Sequence, residues 1–322
     1  MQRRPPYATN MKKFNSLPSP APLKKLLFIV FLMLITSHIW GQSQPITTIP
    51  FTLEKNCIYI YCKVNEKDSI RFLFDTGASG SVINGRSLKK TGLKINGQSQ
   101  NKGSNGTNTV DQSSNNTVSF GSLTRKAIVL TVIPYDTDIF DGVFGTDLMK
   151  GNIIEIDYNK NEIRFYREND QHLDFSSYEK MKLKLVDNYP AVKCSFIANG
   201  VKYTGLFGLD SGADDVLTIA APYARTNQLA AKMKKIGGAS FQGSDGSTYE
   251  MPIVLCPAIE FSGKFLYNIP ISLSSSTEGI DATQRMAGFF GNNFLKRFNT
   301  IIDLKNELIY FKLNSHLYTT FH

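Results

Sequence analysis

The sequence predicts an all-β protein of two duplicated lobes with a few short helices. Two observations carry that expectation. The same landmarks recur twice in the same order, and the apolar runs are short and bounded by Gly, Asn, Asp and Ser. The length of 322 residues fits, leaving room for two domains of roughly 130–140 residues behind a leader.

The first landmark is Phe72-Leu73-Phe74-Asp75-Thr76-Gly77-Ala78-Ser79, answered by Phe207-Gly208-Leu209-Asp210-Ser211-Gly212-Ala213-Asp214. Gly-rich turns at 103–107 and 243–247 come next. Gly142-Val143-Phe144-Gly145 then matches Gly288-Phe289-Phe290-Gly291. Gly145 to Asp157 and Gly291 to Asp303 both span 12 positions, and Asp157 to Phe165 and Asp303 to Phe311 both span 8. Two copies are too few for a solenoid and indicate a duplicated lobe, with a polar seam at 168–177. The expected organisation is a leader at 1–41, a first lobe at 42–172 and a second at 173–322.

Strands are expected at 58–64, 127–133, 153–156, 163–166 and 308–311, with hairpin turns at 159–161 and 305–306. Short helices are expected at 87–91, near 220–228, and after each Phe-Gly.

The net charge of +9 suggests an anionic partner until its distribution is considered. Residues 1–41 hold six basic groups and no acid, so the rest carries 30 basic against 27 acidic groups. A body of +3 removes support for a nucleic-acid binder. Lys24-Lys25, then ten apolar residues from Leu26 to Ile35, then Gly41-Gln42, read as a secretory signal cleaved after Gly41. Ten apolar residues fall short of the ~20 that a spanning helix needs, although an uncleaved anchor is the alternative. Met11 is a second candidate start, and a periplasmic or extracellular location is expected. Four cysteines are too few for a disulfide scaffold and lack zinc spacing. Cys57 and Cys62 lie an odd number apart and point to opposite faces of a regular strand. His172, His316 and His322 form no metal or triad pattern, and neither GxSxG nor HExxH is present.

An apolar run ending in Asp-[Thr/Ser]-Gly-Ala places a carboxylate at the tip of a buried strand. Gly77 and Gly212 permit the tight turn and offer backbone N–H groups to that carboxylate. Thr76 and Ser211 carry hydroxyls able to bond the opposite turn. One copy alone would be a satisfied turn Asp; two copies in matching repeats make Asp75 and Asp210 a candidate catalytic pair.

These residues resemble the aspartic proteases, specifically the retropepsin-like branch with bacterial secreted members. Asp210-Ser211-Gly212-Ala213-Asp214-Asp215 is similar to the retroviral active-site signature at all six positions, and Phe289-Phe290-Gly291 to that family's apolar-apolar-Gly element. The resemblance covers about 50–165 and 190–312. It implies a bilobal acid-protease fold and a peptide or protein substrate. Because one chain supplies both aspartates, it also implies competence as a monomer. Asp214 and Asp215 would bind substrate main chain, and Ser79 would bond its own lobe's carboxylate or cap the turn. Gly106 and Gly246 would sit on two flap tips closing over the peptide, or in ordinary hairpin turns. No metal or organic cofactor is needed. Two carboxylates about 3–4 Å apart repel by about 4 kcal/mol at an effective dielectric near 20. That separates their ionisations by roughly three pH units, so the pair holds one shared proton over a broad acidic range. The alternative function is an inactive protease-fold protein that binds peptides or a protein partner.

Overall fold

A computed structural model describes residues 43–170 and 173–321. Apolar runs become strands here because alternate side chains meet different surroundings. In Cys57–Val64, Ile58, Ile60, Cys62 and Val64 enter the main core. Cys57 and Tyr59 instead join a smaller cluster with Leu73, Val82 and Val143. The two cysteines thus occupy opposite faces, and all four thiols are buried and free.

The fold is all-β and bilobal, as the repeat predicts. Among the described residues the strands form one sheet of eight and one of thirteen. The eight-stranded sheet lies between Thr52–Glu54 and Gly142–Phe144 in sequence. The larger sheet contains the second half's strands and three from the first half: Thr47–Pro50, Asn152–Asp157 and Glu162–Arg167.

Those three join Phe298–Asp303, Leu308–Leu313 and Glu179–Val186 in one continuous run. Asn152–Asp157 lies antiparallel to Phe298–Asp303, with Glu155 opposite Ile301. Glu155 and Ile301 are 146 positions apart, the same interval that separates Asp157 from Asp303. Each strand therefore faces its own repeat, and a local two-fold axis passes through that pair.

The cores repeat as well. Phe120 meets Phe144 at 4.9 Å and Phe165 at 5.3 Å between ring centroids. Their counterparts follow suit, with Phe261 5.0 Å from Phe290 and 4.8 Å from Phe311. Such ring pairs each add about 0.5–1.5 kcal/mol beyond the area they bury.

In each half the strand leading to the Asp turn runs parallel to the Gly-apolar strand. Ser69–Phe74 pairs with Gly142–Phe144, and Val201–Asp210 with Gly288–Gly291. The Gly-apolar strand also pairs antiparallel with the strand after the turn, Val82–Asn84 or Leu217–Ile219. Each Asp turn consequently arches over the end of a central strand. Gly145 is required beneath its arch, because a Cβ there would meet the Gly80 carbonyl oxygen at 2.6 Å.

Helical turns follow each Phe-Gly at Thr146–Met149 and Asn292–Leu295. Another forms at Leu88–Thr91. The helix expected near 220–228 is two, Ala221–Thr226 and Leu229–Lys232, interrupted by Gln228 in the left-handed region. No helix among the described residues is long and apolar enough to cross a membrane. The expected leader at 1–41, together with His172 and His322, lies outside the described residues.

Candidate active site

The two Asp turns meet back to back through four reciprocal hydrogen bonds. The Thr76 hydroxyl accepts from the Ser211 N–H at 3.0 Å and donates to the Leu209 carbonyl at 2.7 Å. The Ser211 hydroxyl accepts from the Thr76 N–H at 3.0 Å and donates to the Phe74 carbonyl at 2.8 Å. Both hydroxyls are buried, so each uses its donor and one acceptor site to satisfy backbone groups that water does not reach.

This lock brings Asp75 and Asp210 together. Gly77 and Ala78 donate their N–H groups to Asp75 Oδ1 at 2.7 and 3.1 Å, and Gly212 and Ala213 to Asp210 Oδ1 at 3.0 and 3.1 Å. Each turn presses on the opposite carboxyl. A Cβ on Gly77 would meet Asp210 Cγ at 2.7 Å, and one on Gly212 would clash with Asp75 Cγ. The two carboxyls lie side by side between the turns, each against the other turn's glycine. Burial first, and the charge of Asp210 second, hold the Asp75 carboxyl well above the usual carboxylate range, against the N–H groups of Gly77 and Ala78.

A cleft of about 1600 Å³ lies over the pair. Apolar residues from both halves line it among polar ones, with Leu73, Ile133 and Val143 from the first and Val216, Ile253 and Phe289 from the second. Ser79 and Asp214 also line it. Ser79 is exposed, and the turn's hydrogen bonds to Asp75 come from Gly77 and Ala78. The Asp214 backbone carbonyl accepts from Asn56 Nδ2 at 3.1 Å. Asp215 turns inward, where the Thr218 hydroxyl donates to its Oδ2 at 2.6 Å.

Burial pushes Asp215 up to about 7 despite that hydroxyl, and burial pushes Asp281 up to about 7 as well. Both acids bind their proton more tightly folded than unfolded, where an Asp ionises near pH 4. Their contribution to stability is therefore complete below about pH 4 and is lost as pH rises through 7. The melting temperature is expected to fall by several degrees between pH 5 and pH 8, less so in Asp281→Asn. A melting curve that rises over that window, or a variant with the full slope, contradicts this account.

Two hairpins overhang the cleft. Gly97–Lys102 pairs with Thr107–Phe120, and Lys234–Gln242 with Thr248–Phe261. Their tips touch, since Asn101 Nδ2 donates to the Ser244 carbonyl at 3.1 Å. At the tips Gly103, Ser104, Gly243 and Ser244 line the cleft. Gly106 faces Asp245 of the other hairpin, and Gly246 closes its turn with φ of 84°.

The first tip is also held by the loop 274–287. Ile280 and Asp281 donate their N–H groups to the Gly103 and Ser104 carbonyls, both at 2.9 Å. Gly279, at φ of 76°, lies flat against the tip, where a Cβ would meet the Ser104 carbonyl oxygen at 2.6 Å. Gly279→Val is expected to push the tip away and speed amide exchange at Ile280 and Asp281 about tenfold, the loss of about one net hydrogen bond. Unchanged exchange at both amides would mean that the loop does not hold the hairpin.

Sequence reasoning missed this loop and Tyr189, whose hydroxyl donates to Asp210 Oδ2 at 2.7 Å. Both left a trace where the repeat breaks. Val132 to Gly142 spans 10 positions, but the matching interval from Leu273 to Gly288 spans 15. Gly208 stands where the first half has Leu73.

Two β lobes related by a local two-fold, with paired Asp turns beneath two hairpins, define the aspartic-protease class of fold. Residues 60–148 match the family model described as aspartyl protease. The crystal structure of an aspartic proteinase from Irpex lacteus is similar over 85% of this chain and 99% of that one, with a TM-score of 0.53 and 14% identity. At that identity the likeness speaks for the fold. No curated protein matches the sequence. The resemblance to aspartyl proteases read from the sequence is thus borne out, by family over 60–148 and by fold over most of the chain.

Proposed function

We propose that this chain is an aspartic endopeptidase that hydrolyses peptide bonds in extended peptide or protein substrates, with Asp75 and Asp210 activating a water. The observation that supports it best is the convergence of the two carboxyls, each packed against the opposite turn, at the floor of a cleft that two hairpins cover. Two like charges in contact cannot both form readily, so the pair shares one proton. The ionised carboxylate takes a proton from a water, and that water's oxygen attacks the scissile carbonyl carbon. The protonated carboxyl hydrogen-bonds the carbonyl oxygen, and a proton then passes to the leaving nitrogen as the C–N bond breaks. The substrate backbone would add strand-wise beneath the tips at Gly103 and Ser104 and at Gly243 and Ser244, with apolar side chains against the walls. Asp214 and Asp215 are read as the acids on the second lobe's side of this path.

We read two lobes, 42–172 and 173–322, each contributing one aspartate, so that one chain forms a complete site. The basic and apolar leader supports export to a periplasmic or extracellular space. The test is cleavage of an unstructured protein between pH 3 and pH 7, with and without a statine-type inhibitor. Inhibitor-sensitive cutting that requires both aspartates supports the proposal. A folded chain that binds peptide without cutting it would leave the binding reading in its place.

A further inference from the structure

The Asp turns are alike, but what faces them differs between halves. Tyr189 opens the strand Tyr189–Ala198 after a turn in which Asp187 and Asn188 hold left-handed φ of 53° and 65°. Cys57 opens Cys57–Val64 after a matching turn at Lys55 and Asn56, with φ of 47° and 66°. The two residues are counterparts with different contacts. Tyr189 donates to Asp210 Oδ2, the oxygen that the turn's N–H groups leave free. The Cys57 thiol instead donates to the Gly212 carbonyl at 3.6 Å.

The second half is shaped around the Tyr189 ring. A Cβ on Gly208 would meet Tyr189 Cε1 at 2.6 Å, which explains why glycine replaces the Leu73 of the first half. Ala191 lies across the sheet from Gly208, where Tyr59 lies across from Leu73. Two large residues in one lobe are thus small in the other, and the ring packs at 5.3 Å from Phe289. Its hydroxyl also touches the opposite turn, since a Cβ on Gly77 would meet it at 2.6 Å.

We propose that Tyr189 is a positioning residue of the dyad, whose hydroxyl keeps the charge on Asp210 and the shared proton on Asp75. A donor aimed at a carboxylate favours its charged form, and O–H to O⁻ bonds are among the stronger ones. Burial and the charge of Asp210 hold the Tyr189 phenol well above its usual range, so it remains a donor wherever the dyad works. Among the described residues the acidic groups acting on the dyad are Asp215, Asp281, Cys57 and Tyr135, and Lys55, Lys102, Lys296 and His316 line the same cleft. The acids gain negative charge on ionising, so none of them relieves Asp210; Lys55 acts on Asp214, and Lys296 donates to Asn56 Oδ1. The inference rests on the protease reading for its catalytic consequence, but not for the proton placement itself.

The test compares the full chain with Tyr189→Phe, which keeps the ring against Phe289. Two readouts are needed: kcat and KM on a fluorogenic peptide across pH 3–7, and ¹³C titration of the aspartate carboxyls, assigned through Asp75→Asn and Asp210→Asn. Without the phenol the charged form of the dyad loses a donor, so the acid limb of kcat/KM and the first carboxyl titration should move up by about one pH unit. We expect kcat to fall about tenfold, with KM within about twofold and the melting temperature lowered by only a few degrees, as a one-unit shift requires. A titration that does not move overturns the inference even if kcat falls, because the tyrosine would then serve packing alone. If wild type cuts nothing while the Tyr189→Phe titration moves, the proton placement stands and the protease reading fails.

Discussion

Asp75→Asn and Asp210→Asn are each expected to lower kcat by about 10⁴-fold, the upper range for a group that serves as both general acid and general base. Asparagine keeps the volume of aspartate, and its side-chain oxygen can still accept from Gly77 and Ala78, or from Gly212 and Ala213. What it lacks is the exchangeable proton and the charge. Either replacement suffices, because the mechanism needs one ionised and one protonated carboxyl at the same moment. Neither should unfold the protein. Removing one of two buried acids in contact relieves their repulsion, so melting temperatures should equal or exceed that of wild type near neutral pH. Parallel measurement of kcat and melting temperature checks both halves of this expectation. Activity within tenfold of wild type in either variant would exclude the dyad.

Thr76→Val is expected to destabilise the protein by about 2–4 kcal/mol and to lower kcat as well. Valine matches threonine in shape but leaves two buried backbone groups without partners, the Ser211 N–H and the Leu209 carbonyl. Each costs about 1–3 kcal/mol when water cannot replace the lost partner. Ser211→Ala should behave alike by stranding the Thr76 N–H and the Phe74 carbonyl. The double variant should cost less than the two singles together, because a loosened contact admits water to both sets of groups. Thr76→Ser retains the hydroxyl and should remain close to wild type. Urea unfolding midpoints decide the question; if Thr76→Val and Thr76→Ser unfold together, the lock contributes nothing to stability.

Much of this was legible in the residues. The Asp-Thr-Gly and Asp-Ser-Gly turns, the glycines beneath them and the short helices after each Phe-Gly are local patterns, and a local pattern needs only its neighbours to be read. The matched spacings from Gly145 and Gly291 onward implied a duplication, which the sheet register then placed on a local two-fold at Glu155 and Ile301. The glycines of the hairpin tips were legible as turn residues, but their contacts were not. Gly106 meets Asp245 from a hairpin nearly 140 positions away in sequence, and nothing near Gly106 encodes that meeting.

The sequence by itself determined which carboxyls are candidates, that there are two of them and that each sits in its own β lobe. Strand periodicity and turn chemistry act over a few residues, and a repeat needs only self-comparison. Only the tertiary structure decided how alike the two aspartates are. Tyr189 precedes Asp210 by 21 positions and reaches it because a hairpin folds back over the space that Gly208 leaves open. The loop 274–287 reaches the first hairpin by crossing from one lobe to the other. Both contacts depend on where distant backbone lies, so in the sequence they showed only as a missing side chain and five extra residues.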